Sequence, residues 1–111
     1  MAYDEALADR VRDVFGPDSD LSERKMFGGL AFMLRGHLCC GVVGDELMLR
    51  LGPDLAAEAL RKPQVRPMDF TGRPMKGMVY VAPSGLRGRA LRAWVEKAAT
   101  HARSLPAKTG R

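Results

Sequence analysis

Between Lys25 and Val43 the chain reads Lys-Met-Phe-Gly-Gly-Leu-Ala-Phe-Met-Leu-Arg-Gly-His-Leu-Cys-Cys-Gly-Val-Val, and this stretch restricts the fold more than any other. Two apolar runs, 30–34 and 38–43, are separated by a short polar turn holding Gly36, which is the pattern of a β-hairpin. Phe27, Phe32 and Met33 supply bulk for a core, and the pair Gly28-Gly29 marks a bulge or a close approach of two backbones. A chain of 111 residues that is 46% hydrophobic can bury one such core without cross-links, so a single domain is expected.

The flanking segments supply the rest of the architecture. Tyr3, Leu7, Val11, Val14 and Phe15 recur at helical spacing with Asp4, Asp9, Arg12 and Asp13 on the other side, and Gly16-Pro17 ends that helix. Residues 21–26 begin the first strand, which bends at Gly28-Gly29 and resumes to Leu34; the second strand covers 38–43 and the third 46–51. Gly52-Pro53-Asp54 opens a short helix with Leu55, Ala56, Ala59 and Leu60 expected to face inward. A weak edge strand over 64–70 and a stronger strand over 75–82 flank the loop 71–74. Leu91, Trp94, Val95, Ala98, Ala102 and Leu105 then trace the face of a final helix. The expectation is an α+β, two-layer domain of order α-β(3)-α-β(2)-α, with helices packed on an antiparallel sheet. It spans residues 1–105, followed by a flexible tail over 106–111. Homodimerisation, which would hide an uncovered sheet face or edge, is an expectation with no motif behind it.

Charge is divided unevenly. Residues 1–60 hold 6 Lys or Arg against 11 Asp or Glu, whereas residues 61–111 hold 12 against 2, a balance of −5 followed by +10. Such polarity suits an acidic face meeting a basic one, or a basic surface offered to nucleic acid or to an acidic protein; equally, the halves intermix on folding and the charges solvate the surface. No apolar run approaches the roughly 20 residues of a membrane span, and residues 1–9 are acidic where a secretion signal would be basic, so a soluble, cytoplasmic protein with no membrane partner is expected. The only cysteines, Cys39 and Cys40, are neighbours. Alternation along a strand would send them to opposite faces, poorly placed to pair, which fits a reducing compartment.

The motif Lys25-Met26-Phe27-Gly28-Gly29, continued by Cys39-Cys40-Gly41 and by Met68-Asp69-Phe70-Thr71-Gly72-Arg73-Pro74-Met75-Lys76-Gly77, resembles the TfoX N-terminal domain family. Val79-Tyr80-Val81, Trp94-Val95 and Ser104-Leu105-Pro106 extend the resemblance in the same order over nearly the whole chain. The resemblance implies the same α-β(3)-α-β(2)-α fold, a bacterial source and an adaptor role in transcriptional regulation. The family's namesakes regulate competence for DNA uptake with the cyclic-AMP receptor protein, and the family has no established catalytic residues. The chain stops where the second domain of those regulators would start, so the resemblance is expected to reach their first domain alone, and a first domain by itself need not regulate competence.

Candidate sites are few. His37 and Cys39 share a strand face, yet a structural zinc needs about four ligands and the only other histidine is His101, so buried thiols packing as small hydrophobes are favoured. A thiol enzyme needs an activating base, for which only His37 is at hand. Arg73 and Lys76 lie in a Gly-containing loop suited to anions, although the loop lacks phosphate-loop spacing. Arg87, Arg89, Arg92, Lys97 and Arg103 crowd the final helix and only partly share a face. Met26, Met33, Met48, Met68, Met75 and Met78 read as core filling. The expected function is non-enzymatic and cofactor-free: binding of a protein partner, such as a component of the transcription machinery, with Arg73, Lys76, Arg89 and Arg92 as contact residues. Direct, weakly specific nucleic-acid binding through the basic second half is the alternative.

Overall fold

The glycine-rich stretch folds as two successive hairpins rather than as a bent strand and a hairpin. The computed structural model describes residues 3–26, 28–70 and 73–106, apart from the side chains of residues 69, 70 and 73–76. Strand β1 (Leu21–Met26) reverses into β2 (Gly29–Leu34) with Met26 opposite Gly29, and β2 reverses into β3 (His37–Val43) with Leu34 opposite His37. The expected first strand is therefore two. Gly28 turns the chain at φ +74°, and a Cβ on Gly29 would lie 2.1 Å from the Val42 carbonyl oxygen, so this one glycine pair provides both the reversal and the close backbone approach. In the second hairpin Arg35 (φ 56°) and Gly36 (φ 85°) both take the left-handed conformation, the type I′ geometry that matches strand twist.

Strand β4 (Glu46–Arg50), helix α2 (Pro53–Ala59), strands β5 (Val65–Phe70) and β6 (Arg73–Val81), a 3-10 turn at Pro83–Gly85 and helix α3 (Arg89–Ser104) complete the chain after the first helix, α1 (Glu5–Phe15). The six strands form one antiparallel sheet in the order β1-β2-β3-β4-β6-β5. The α+β class and the alternation of helix and strand blocks are those expected from the sequence. Helix α1 starts at Glu5 rather than at Tyr3, because the Asp4 side chain caps it by accepting from the Leu7 amide at 3.1 Å, leaving Tyr3 to bridge Gly44.

The strand register divides the residues between two faces. Val42, Leu47, Val81 and Val65 form a cross-strand row on the face that the helices cover, in one core with Phe32, Leu34, Leu49, Val11, Val95 and Ala98. The next row, Gly41, Met48, Tyr80 and Arg66, belongs to the opposite face, where Met48, Met68, Met78 and Tyr80 make a second buried cluster. Three of the strand methionines thus fill a core as expected; Met26 and Met33 are half-buried, and the Met75 side chain lies outside the described residues. Both sheet edges are poor templates for another strand. β1 is exposed and charged through Glu23, Arg24 and Lys25, and β5 carries Pro67 and a bulge.

Helix α2 departs from expectation in its packing. Ala56 and Ala59 are buried, whereas Leu55 and Leu60 are each 39% exposed, the only large hydrophobic side chains so open among the described residues. At 100° per residue Ala56 and Ala59 straddle the line of contact with the domain and the two leucines fall on its flanks. Small residues let the short helix approach β6 closely, and the leucines are pushed to the margins.

Candidate functional site

The margin of α2 that carries Leu55 faces α3, and a groove runs between them. On α3, Leu91, Trp94, Val95, Ala98, Ala99 and Ala102 are buried, while Arg89, Arg92, Ala93, Glu96, Lys97 and Thr100 face outward. Helical geometry splits the outward set. Ala90, Ala93 and Lys97 fall on the flank adjoining Trp94, Arg92 falls on the far side of the ridge, and Arg89 and Glu96 stand along its crest.

At one end the groove widens to about 360 Å³, with Lys62, Arg87 and Lys97 among its lining residues and no carboxylate among the described ones. Lys62 arrives from the segment after α2, Arg87 from the approach to α3, and Lys97 from α3 itself, its ammonium 5.0 Å from the centre of the Trp94 ring. Gln64 and Ser84 add neutral polar groups. The turn at Pro83–Gly85 lies tight against this wall because Gly85 has no Cβ, which would come within 2.8 Å of Gln64 Cβ and 2.9 Å of Val81 Cγ1. Helix α3 starts at Gly88 without a side-chain cap and with no acid in its first turn, so the positive end of its dipole adds to the three cations. Toward the other end a narrow passage bounded by Leu51, Leu55, Ala59 and Trp94 leads to a shallow hollow of about 370 Å³ lined by Leu55, Ala93, Glu96, Lys97 and Thr100. Glu58 lines the passage together with Lys62 and Lys97, and Glu96 lines the hollow and is within 3.5 Å of Arg92. Among the described residues Lys62, Arg87 and Lys97 form no ion pair.

The residues singled out from the sequence are not assembled into one patch. Arg89 and Arg92 are exposed on the α3 ridge, and Arg92 pairs with Glu96. Arg73 and Lys76 are on the first half of β6; their side chains, and Thr71 and Gly72 entirely, lie outside the described residues. Extended chain from Lys76 to Val81 covers roughly 16 Å before the turn that leads back to α3, so the two pairs belong to opposite ends of β6. The sequence reading named Arg87 and Lys97 only as part of a crowd and missed Lys62 and Leu55. Lys62 beside Pro63 reads as a helix stop, and only the β4-β6-β5 order brings it next to Trp94.

The thiol and imidazole candidates separate from this groove. A bulge between β2 and β3, where Phe32 pairs with Cys40 and Met33 with Leu38, leaves Cys39 unpaired in the ladder and turns both cysteines into the helix-covered core. This corrects the expectation of opposite faces, since alternation fails at a bulge. Both thiols are free and buried, and Cys40 is pushed well above the ordinary thiol range by its hydrogen bond with Cys39 and by burial. His37, 9% exposed, donates from Nε2 to the Pro106 carbonyl oxygen at 2.5 Å, and its Nδ1 is buried without a partner among the described residues. His101 is held below the ordinary imidazole range by burial first, then by Arg50 and His37. Among the described residues no three His, Cys, Asp or Glu side chains are grouped to hold a metal. Residues 107–111 of the expected tail lie outside the described residues. No described helix is long and apolar enough to cross a membrane.

The profile of the TfoX N-terminal domain family matches residues 13–102, most of the chain and all of the groove. No curated protein and no solved structure matches.

Proposed function

The chain belongs to the TfoX N-terminal domain family, and from that membership we propose that it works in the cytoplasm as a non-enzymatic adaptor in regulation, binding a protein partner. The observation that carries the reading is the groove between α2 and α3, where three cations without an ion pair among the described residues adjoin exposed apolar surface. Isolated cations are ordinary on a protein surface. Three cations at a wide end with no carboxylate among its described lining residues, continued by a passage past the open side chain of Leu55, combine the charge and apolar area that a protein contact uses. A raised thiol pKa at Cys40 and the burial of both cysteines argue against nucleophilic catalysis there.

Nucleic-acid binding is favoured by the charge of residues 61–111. Single-strand binding by base stacking is disfavoured at the groove, where Trp94, the one aromatic ring among the described lining residues, is only 7% exposed. A pull-down from native cytoplasm, with nuclease-treated and untreated halves washed at two salt concentrations, tests the choice. A defined protein retained after nuclease at the higher salt is the expected result. Recovery of nucleic acid alone, lost at higher salt, overturns it.

A further inference from the structure

The groove is polar in a way that describes its occupant. Its wide end presents Lys62, Arg87 and Lys97 with no carboxylate among its described lining residues, and its shallow end presents Leu55, Ala93 and the aliphatic stem of Lys97. The two ends are joined past Trp94, whose burial makes it floor rather than contact platform. We infer that this groove seats an amphipathic acidic segment of the partner protein, its carboxylates against Lys62, Arg87 and Lys97 and an apolar side chain against Leu55 and Ala93.

The inference rests on the adaptor reading and deepens it. Charge complementarity selects the occupant. An anionic ligand without apolar groups, a phosphate backbone included, would satisfy the wide end and leave Leu55 in water, whereas a neutral apolar segment would leave three cations facing a partner that offers them nothing. An amphipathic helix or strand with acids on one margin answers both halves, in the manner of segments laid into grooves between helices. Glu96 at the shallow end repels an acid placed there, and Glu58 in the passage separates that end from the three cations, which sets the direction in which the segment lies.

The chain's only tryptophan lies in the groove floor beneath Lys97, so its emission reports occupancy directly. The probe is a fluorescein-labelled peptide of Glu-Leu-Leu-Glu repeats, about 15 residues long, the size of an ordinary groove-binding helix, with a Lys-Leu-Leu-Lys peptide and a short DNA duplex as comparators. Saturable binding of the acidic peptide by anisotropy, with a matching change in Trp94 emission, is expected. Lys62→Glu with Lys97→Glu should weaken it by about tenfold or more, Leu55→Asp by several-fold, and Arg92→Glu on the ridge by less than about twofold. Circular dichroism verifies that each variant is folded.

No saturable binding of the acidic peptide, equal binding of the basic one, equal loss in Arg92→Glu, or a change in Trp94 emission with DNA alone overturns the inference. So does self-association of the chain lost in the same groove variants, which would make the occupant a second copy. If the double variant still captures the native partner as well as the unmodified chain does, the groove fails and the adaptor reading stands. If neither captures a protein, the adaptor reading itself fails.

Discussion

Two corners of the molecule use arginine in opposite ways. Where α1 meets the edge strand β1, Arg12 bonds Glu23 through Nε at 2.6 Å and a terminal nitrogen at 2.8 Å, and reaches Asp9 at 2.7 Å. Nearby, Arg103 bonds Asp18 at 2.9 Å, tying the end of α3 to the loop before β1. Where α2 meets α3, Lys62, Arg87 and Lys97 converge with no such partners among the described residues. The first corner neutralises its charge and spends it on holding elements together. The second leaves positive potential facing water, a state that gains the fold nothing and gains an anionic partner a great deal. Charge alone does not mark a site; charge without an internal partner, next to exposed apolar surface, does.

The largest effect expected in either corner comes from the groove floor, where the comparison can be broken. Trp94 belongs to the helix-covered core as well as lining the groove. Trp94→Ala should therefore cost about 3 to 5 kcal/mol in urea unfolding, the range for truncating a buried aromatic side chain. A cost below about 1 kcal/mol would mean that the indole is held loosely and that the groove has no rigid floor on which to seat a segment.

The fold was legible where side-chain periodicity and turn chemistry agree. The α1 stripe, the Arg35-Gly36 hairpin and the Met78-Val79-Tyr80-Val81 strand all have local causes. Reading Gly28-Gly29 as a bend rather than a reversal came from the short, charged segment 21–26, which has no apolar alternation to announce a separate edge strand. The Cys39-Cys40 misreading has a similar origin: a bulge inserts one residue and inverts the alternation on which the face assignment rests. The groove was the least legible part, because its cations come from three segments. Leu55 and Leu60 looked like core for the reason that leucines on a short helix usually are. That Ala56 and Ala59 would take the contact with the domain depends on how closely α2 approaches β6, which no local pattern encodes.

At the paired corner, Arg12→Ala should destabilise the domain by about 1 kcal/mol at neutral pH. Both partners are more than a third exposed, so the bidentate geometry is discounted by solvent. The pH dependence carries the sign. Glu23 is held below the ordinary carboxylate range by its hydrogen bonds with Arg12, so the folded state binds this proton less readily than the unfolded chain does. The contribution of the pair is present in full above the unfolded value of about 4.3 and fades as pH falls through the lower folded value. Stability curves of the native chain and Glu23→Gln, measured by denaturant between about pH 7 and pH 3, should be separated at neutral pH and converge in acid. Parallel curves would mean that the corner is decorated by this pair and not held by it.

The smallest effect sharpens the comparison most. Arg87 precedes the uncapped start of α3, where the helix dipole is positive, and it shares its end of the groove with two further cations. Each of those interactions is unfavourable for the folded domain alone. Arg87→Gln should accordingly leave stability unchanged or raise it by up to about 0.5 kcal/mol at low ionic strength, with the gain fading as salt screens it. The same substitution should weaken binding of the acidic peptide. A side chain that stabilises nothing in the folded chain and is needed by a ligand is what a contact surface requires. A loss of more than about 1 kcal/mol on Arg87→Gln, beyond the usual range for surface substitutions, would instead place Arg87 with Arg12, as a cation the fold itself uses.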